Sequence, residues 1–328
     1  MPVDQDWLDQ VDEEVIDPAL PICDPPHHLW DTAQSRYLLD DVLGDTGSGH
    51  NVRSTVFVEC MAEYHVDGPD ALRPVGETEF VESVAEASGD AKIAAGIVSY
   101  ADLTLGAAVG DVLDAHREAS PTRFRGIRHA CGWDASDDVR NSHTKPPQHL
   151  YLDETFREGF AKLADRELVF DAWLYHPQIS ELASLARAFP GTTIVLDHVG
   201  GPLGIGPYAG KREEVFDTWR AGICELAACP NVVVKLGGLA MPINGFDWHK
   251  RERPPGSAEL AMAIAPYVML CIDEFGPERC MFESNFPVDK QSCSYRVLWN
   301  AFKRLAEGYS ADEKAALFHD TAVRVYAL

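Results

Sequence analysis

Three histidines of this 328-residue chain stand directly after short apolar runs: His28, His176 and His198. An imidazole can accept or donate a proton near neutral pH, and it can also bind a metal ion. Where strands alternate with helices, residues that follow the strands gather at one end of the sheet, which is where active sites lie. We therefore expect these three side chains to be catalytic. Seven other histidines lack this position and are interpreted as structural or surface residues: His50, His65, His116, His143, His149, His249 and His319.

Other polar residues also lie at the ends of apolar runs. If these runs are parallel strands of one barrel, their carboxyl ends surround one opening, here called the mouth, and these residues would meet there. They are Glu59, Tyr100, Arg128, His129, Lys235, Asn285 and Asp289. We expect Asn285 and Asp289 to belong to the catalytic group. Glu59, Tyr100, Arg128 and Lys235 would contact the substrate, and Trp30 would line its pocket.

Some of these residues have a second interpretation. Glu59 could be the buried partner of Arg128 or Lys235 rather than a group that touches substrate. Lys235 ends a very apolar strand, and an ion pair with Glu59 or Asp289 is its structural alternative. For Trp30, packing in the core is the corresponding alternative.

The first apolar run, around residues 22–24, leads into Pro25, Pro26 and His27 before His28. Alternate residues of an extended strand face the same side. If the strand stays extended, Asp24, Pro26 and His28 share one face. His27 then faces outward, into the wall of the sheet.

Eight short apolar runs predict eight strands, and helical patterns follow nearly all of them. The predicted strands cover residues 22–24, 54–60, 92–98, 124–129, 168–175, 192–196, 231–236 and 279–283. Residues 32–53, 131–150 and 237–256 are polar or rich in glycine and proline, and we expect long loops there. Such loops would set the choice of substrate.

Regular alternation implies parallel strands, and eight of them predict a closed (β/α)8 TIM barrel of the α/β class. A doubly wound open sheet is the alternative, but no Gly-x-Gly-x-x-Gly follows the first strand. The chain contains no internal repeat and no linker rich in proline, glycine or serine. We therefore expect an acidic leader over residues 1–20 and one barrel domain over 21–328.

Composition limits the function classes. The net charge is −24 and no run of lysine and arginine occurs, which argues against a nucleic-acid or membrane surface as partner. No apolar run reaches the roughly 20 residues of a membrane-spanning helix, and residues 1–14 lack the pattern of a signal peptide. Eight scattered cysteines without a Cys-x-x-Cys pair fit reduced thiols. We expect a cytoplasmic protein whose partner is a small-molecule substrate.

Five short motifs, in this order along the chain, resemble those of the amidohydrolase-related family. They are Asp-x-x-x-His-Leu-Trp-Asp from Asp24, Phe-Arg-Gly-Ile-Arg from Phe124, His-Pro at His176, Asp-His-Val-Gly-Gly-Pro from Asp197 and Ser-Asn-Phe-Pro from Ser284. The resemblance covers about residues 20–327. It implies a (β/α)8 barrel in the branch that contains sugar-lactone and pyrone-dicarboxylate lactonases and, more distantly, non-oxidative decarboxylases. It also suggests a homodimer.

Metal-dependent members of that family resemble this chain only in part. Their His-x-His of the first strand falls on Pro26 and His28, their fifth-strand histidine on His176, and their eighth-strand aspartate on Asn285. Proline has no donor atom and an amide is a weak ligand, so two of the four ligands are missing. We expect no catalytic metal; if Zn²⁺ or Mn²⁺ is bound, His28, His176 and His198 would hold it.

The lactonase branch therefore provides the working hypothesis. We expect a hydrolase that opens a lactone or ester C–O bond of a small carboxylated or aromatic catabolic intermediate. Arg128 and the histidines would polarise the carbonyl group, and the base would be Asp289, Glu59 or a histidine, since Asn285 cannot take a proton. A lyase resembling the decarboxylases, a metal-dependent hydrolase and a non-catalytic binding barrel are the alternatives.

Overall fold

The computed structural model describes residues 3–32 and 35–328, and its centre is a sheet of eight parallel strands. Each strand pairs with the next one along the chain. The strands are β1 Pro21–His27, β2 Asn51–Val58, β3 Gly96–Ser99, β4 Phe124–Arg128, β5 Val169–Ala172, β6 Ile194–Leu196, β7 Val232–Leu236 and β8 Cys280–Phe282. The predicted α/β TIM barrel with long loops after its strands is confirmed.

The sheet comes together between β1 and β8. His27 and Phe286 form a parallel bridge, and the backbone N–H of His28 donates to the carbonyl oxygen of Phe286 over 2.8 Å. The barrel is thereby nearly closed, so the carboxyl ends of all eight strands surround one mouth.

Helices surround the barrel. They are α1 Gln5–Leu8, α2 Leu39–Thr46, α3 Val75–Ser88, α4 Val109–Ala119, α5 Glu154–Phe160, α6 Ile179–Ala188, α7 Arg212–Ala227, α8 Ser257–Phe275, α9 Tyr295–Leu305, α10 Ala311–Ala315 and α11 Thr321–Tyr326. Capping side chains stabilise the first turn of several helices. The carboxylate of Asp153 accepts a hydrogen bond from the backbone N–H of Phe156 over 2.8 Å and so caps α5. Among the described residues, no helix is both long and apolar enough to cross a membrane.

The barrel interior has two layers. The lower layer is apolar and consists of Cys23, Val56, Val58, Val98, Val169, Val195, Val233 and Met281. Two residues further along β5, β6, β7 and β8, on the same face, stand Asp171, Asp197, Lys235 and Glu283. With Arg128 from β4 they form a second layer, here called the ionic layer, in which all five side chains are buried.

The last helix closes the amino-terminal end of the barrel. Ala322, Tyr326 and Leu328 pack against the apolar layer from below. The hydroxyl of Tyr326 passes this layer and donates to Asp171 over 2.9 Å. The tail of the chain therefore contacts the ionic layer directly.

The shared face predicted for Asp24 and His28 is wrong. Cys23 occupies the interior position of β1, so Asp24 faces the helices, where it accepts from the N–H of Ser284 at 2.8 Å and the hydroxyl of Tyr295 at 2.9 Å. The pairing register of β1 shifts between Asp24 and His27, which breaks the alternation on which the prediction relied. His27 does face outward, with its ring 6.0 Å from that of Phe57.

The segment between β1 and β2 contains more structure than expected. Trp30–Thr32 pairs antiparallel with Ser35–Tyr37, and α2 follows, although the sequence predicted an irregular loop over 32–53. Residues 33 and 34 of that loop lie outside the described part. The strand pair is short and bounded by polar residues, so its alternation was too brief to detect.

The acidic amino-terminal segment packs along the barrel. The side-chain oxygen of Asn300 in α9 accepts from the N–H of Ile16 over 2.9 Å, and Glu13 accepts from the N–H of Ser257 at the start of α8 over 2.7 Å. The division of the chain at residues 20 and 21 stays a prediction.

Candidate active site

Lys235 lies at the centre of the ionic layer and has no exposed surface. Its Nζ is 2.6 Å from a carboxylate oxygen of Asp171 and 2.8 Å from one of Asp197. Burial alone would lower the pKa of Lys235, but the two aspartates raise it, so the amine stays charged. Because Lys235 is fully buried, it has no room to contact substrate as the sequence predicted. The ion-pair partners of Lys235 are Asp171 and Asp197, rather than Glu59 or Asp289.

Arg128 and Glu59 form a second ion pair at the ends of β4 and β2. Nε of Arg128 donates to Glu59 over 2.7 Å, and its Nη1 is 3.5 Å from Asp197. The second oxygen of Glu59 is 3.0 Å from Nε2 of His143, which the loop after β4 brings back across the mouth. Burial would raise the pKa of Glu59, but Arg128 and His143 lower it to about 2. Glu59 is therefore an ionised carboxylate at neutral pH.

His198 is held by a carboxyl group that the sequence reasoning missed. Oε1 of Glu283 lies 2.6 Å from Nδ1 of His198 and also accepts the backbone N–H of His198 over 3.2 Å. An oxygen that accepts one N–H is oriented to accept the second, so Nδ1 carries the proton and Nε2 keeps its lone pair. Burial lowers the pKa of His198 to about 3. The ring is neutral at neutral pH.

The chain after β7 makes room for this pair. A Cβ atom on Gly237 would lie 2.3 Å from Cγ of Glu283, and one on Gly238 would lie 2.5 Å from the ring of His198. His198 itself has φ of 53°, in the left-handed region that costs energy for a side chain with a Cβ. Strain at a histidine fixed by a buried acid is typical of functional sites.

His28, Asn285 and Asp289 form a row along β1 and the end of β8. Nδ1 of His28 donates to the carbonyl oxygen of Val58 over 2.7 Å, so Nε2 is an acceptor, and it faces Oδ1 of Asn285 at 3.3 Å. Nε2 of His28 and Oδ1 of Asn285 would both be acceptors, and they would repel each other. Rotating the side-chain amide of Asn285 places its NH2 group, a donor, on His28 instead. Oδ1 then faces Asp289, whose pKa burial and the nearby Glu283 raise well above its usual range. The raised pKa favours the protonated form of Asp289, which can donate to this oxygen.

His176 has the opposite tautomer. Its Nδ1 accepts the N–H of Leu203 over 3.4 Å, so Nε2 carries the proton. The ring stands edge-on to Tyr208 at 5.1 Å, and burial lowers its pKa to about 4. His176 therefore presents a neutral N–H donor.

The two aromatic residues expected at the substrate lie on opposite sides. The ring of Trp30 stacks on His28 with centroids 6.1 Å apart, and Tyr100 stands edge-on to His129 at 5.3 Å. Both are half-buried. Trp30 therefore shields the imidazole of His28, whereas Tyr100 lines the side of β3 and β4.

The predicted residues thus occupy separate contacts within one end of the barrel. His28, Asn285 and Asp289 are linked, as are Glu59 and Arg128, whereas Lys235 lies beneath them. Sequence reasoning missed four residues: Asp171, Asp197, Glu283 and His143. Strand alternation would have found the first three, because each stands two positions after an interior residue of its own strand. Nothing local to His143 marks it, since a loop brings it to the site.

The donor set does not fit a catalytic zinc ion. Nε2 of His28 and Nε2 of His198 offer lone pairs, but Nε2 of His176 carries its proton, and Asn285 offers only an amide. Catalytic zinc sites have three protein ligands, usually with a carboxylate, thiolate or third histidine. In residues 3–32 and 35–328, no three His, Cys, Asp or Glu side chains are arranged to hold a metal.

Comparison with known proteins supplies the family. The model of the amidohydrolase family matches residues 23–328. The chain belongs to the amidohydrolase family. It is therefore an enzyme and a hydrolase, as its five motifs predicted.

Three relatives show how this amidohydrolase is placed. The uncharacterized protein y4mH of Sinorhizobium fredii is 35% identical over 93% of this chain and 98% of its own length. The L-fucono-1,5-lactonase of Burkholderia multivorans is 30% identical over 79% of this chain and 86% of its own length. A solved amidohydrolase of Burkholderia multivorans with bound zinc is 27% identical, with a TM-score of 0.71 over 94% of this chain and 99% of that one. These relatives place the amidohydrolase in the lactonase-like branch.

Proposed function

We propose that this amidohydrolase opens the ring ester of a neutral, hydroxylated lactone with water as the nucleophile. The observation that carries the proposal is the pair of His198 and Glu283, because it leaves an unprotonated imidazole nitrogen at the end of β6. The similarity to the L-fucono-1,5-lactonase of Burkholderia multivorans supports the same type of bond.

The balance of charge supports a substrate without a carboxylate. Asp171 and Asp197 compensate Lys235, and Glu59 and Asp197 compensate Arg128. A substrate carboxylate would bring a further negative charge to buried cations that are already paired, which is costly. This argument favours a neutral lactone over the carboxylated substrate that the sequence predicts, and it does not bear on an aromatic one. It also disfavours the lyase alternative, since a decarboxylase must hold a carboxylate.

In the proposed mechanism His198 acts as the general base. Nε2 takes a proton from water as the water oxygen attacks the lactone carbonyl, a role that contributes roughly 10²- to 10⁴-fold. The carbonyl oxygen becomes negative, and the N–H of His176 and the free N–H of Asn285 are the donors that stabilise it. Asp289 is a weaker candidate for the base, because its raised pKa favours the protonated form, which would support the amide of Asn285.

We further propose that the reaction needs no metal ion, on the basis of the two-nitrogen donor set described above. The zinc-bound relative makes the question open to a direct test. Elemental analysis of the purified enzyme, with turnover measured before and after a chelator, should give the same rate in both samples. A stoichiometric metal whose removal abolishes turnover would overturn this part of the proposal.

A substrate panel tests the reaction itself. We expect ring opening of 1,4- and 1,5-lactones of sugar acids, followed by proton release in a weakly buffered indicator assay. Pyrone dicarboxylates and aromatic acids should not react. Decarboxylation of an aromatic acid, without hydrolysis of any lactone, would contradict the proposal.

A further inference from the structure

His143 is an ionisable side chain at the mouth that is partly exposed to solvent. Its side chain is 25% exposed, whereas the ring of His198 is 4% exposed and Glu59 has no exposed surface. The loop after β4 carries it to the end of β2, two strands away in the sheet. Its sequence position predicts only a structural or surface residue.

Glu59 fixes the orientation of this ring. Nε2 of His143 is bonded to the ionised carboxylate over 3.0 Å, and so it carries a proton. Within the described residues, Nδ1 has no hydrogen-bond partner. The ring is therefore anchored by one nitrogen, and at this partly exposed position the other is left for a ligand.

Opening a lactone needs a proton donor as well as a base. The leaving group of an aliphatic lactone is an alkoxide, which departs readily only when it is protonated. His28 and His198 present lone pairs, and His176 presents an N–H on a ring whose pKa burial lowers to about 4. In the resting enzyme none of these three rings is doubly protonated, and His198 becomes so only after it has taken the proton from water.

We propose that His143 is the general acid of the reaction and protonates the ring oxygen as it leaves. The inference rests on the proposed lactone hydrolysis. Water gives one proton to Nε2 of His198 and forms the new C–O bond. The ring C–O bond then breaks, its electron pair stays on oxygen, and Nδ1 of the doubly protonated His143 gives that oxygen a proton. Solvent removes the proton from His198 and returns one to His143.

The electrostatic surroundings of His143 come from three strands. Glu59 at the end of β2 touches it, Arg128 of β4 lies behind Glu59, and His129 is the other imidazole close enough to interact with it. Tyr100 after β3 lies beside Glu59. The carboxylate of Glu59 is the acidic group in contact with the ring, and it holds the ring by Nε2.

His143→Gln tests the role, because glutamine keeps a donor for Glu59 but cannot transfer a proton. On an aliphatic sugar lactone we expect kcat to fall by about 10²- to 10³-fold. On dihydrocoumarin, whose leaving group is a phenolate, we expect a change of only a few-fold, because a phenolate leaves without protonation.

His149→Gln is the matched control. His149 lies in the same loop and is also bonded to a glutamate, Glu181 at 2.8 Å, but it is exposed and away from the mouth. It should leave both rates unchanged. If His143→Gln lowers the two rates equally, or changes neither, His143 is not the acid. If the unaltered enzyme opens neither substrate, the proposed hydrolysis itself fails.

Chemical rescue covers the case in which His143→Gln fails to fold. His143→Ala leaves a gap at a partly exposed position, so added imidazole should restore the aliphatic rate at least 10-fold. Folded His143→Ala enzyme that retains the full aliphatic rate without imidazole would overturn the inference.

Discussion

At the scale of residues, hydrogen bonding sorts the imidazoles of the mouth by the proton each carries. His28 and His198 present lone pairs because a backbone carbonyl and Glu283 hold their other nitrogens. His176 presents an N–H because a backbone amide occupies its Nδ1. Three side chains of one residue type thus acquire different chemistry from their second nitrogen alone.

The pair of His198 and Glu283 provides a prediction at this scale. Glu283→Gln keeps a carbonyl acceptor for Nδ1, so His198 retains its tautomer and kcat should fall less than about 10-fold. Glu283→Leu removes the acceptor, and we expect a loss of about 10²- to 10³-fold. Steady-state kinetics on a sugar lactone gives both values, with thermal unfolding to check the fold. Equal losses in the two variants would contradict the assigned tautomer.

The location of an individual residue could be predicted from the sequence where that residue follows a strand. His28, His176 and His198 follow apolar runs, and all three lie at the carboxyl ends of strands. The proton on each ring was not predictable, because it depends on partners 27 to 85 positions away. The charge state of Lys235 also depends on two distant aspartates rather than on its own apolar strand.

At the scale of elements, the loop after β4 determines where His143 lies. Gln178, at the start of α6, is buried and holds the first part of this loop. Its side-chain oxygen accepts from the N–H of Trp133 over 3.0 Å, and its nitrogen donates to the carbonyl oxygen of Cys131 over 2.7 Å. The amide of Gln178 therefore fastens the first part of the loop to the barrel rim, while Tyr175 and Tyr208 bind it further along, at Arg140 and Asp134.

Gln178→Leu should release this loop. It leaves backbone groups of Cys131, Trp133 and Tyr175 without partners, at about 1 to 3 kcal/mol each where they stay buried. We expect amide hydrogen exchange of residues 131–145 to become at least 10-fold faster, and kcat to fall because His143 loses its place. Gln148→Leu, an exposed change in the same loop, is the control. If amide hydrogen exchange in residues 131–145 is unchanged in Gln178→Leu, Gln178 does not hold this loop.

Elements were predictable to the extent that periodicity marks them. The eight strands and most helices were found because apolar spacing and turn residues recur along the chain. The pair Trp30–Thr32 and Ser35–Tyr37 was missed because three residues are too few to show a period. The course of the loop over 131–150 was also hidden, since its contacts are made by single polar groups.

At the scale of the whole molecule, the ionic layer lies between the apolar layer of the barrel interior and the mouth. Its two cations and three acids come from five strands, so its ion pairs form only when the barrel is complete. Buried ion pairs contribute little compared with apolar packing, but breaking one leaves an unpaired charge. The layer therefore makes the barrel sensitive to any single substitution within it.

Lys235→Met tests this sensitivity. It leaves Asp171 and Asp197 without their shared cation, and we expect a loss of about 3 to 5 kcal/mol in the free energy of unfolding. Adding Asp171→Asn, which keeps an acceptor for Tyr326, should recover part of the loss. Urea unfolding of the two variants measures it. If Lys235→Met alone is as stable as the original chain, the stability of the barrel does not depend on the ion pairs of this layer.

The hydroxyl of Tyr326 on Asp171 has a consequence for laboratory evolution of this enzyme. In most such barrels the two ends can be varied separately, since one carries activity and the other carries stability. Here the route from the tail to the catalytic imidazole is short: Tyr326, Asp171, Lys235, Asp197 and then His198. A library screened for new substrates should therefore return productive changes in residues 321–328 as well as in the loops of the mouth.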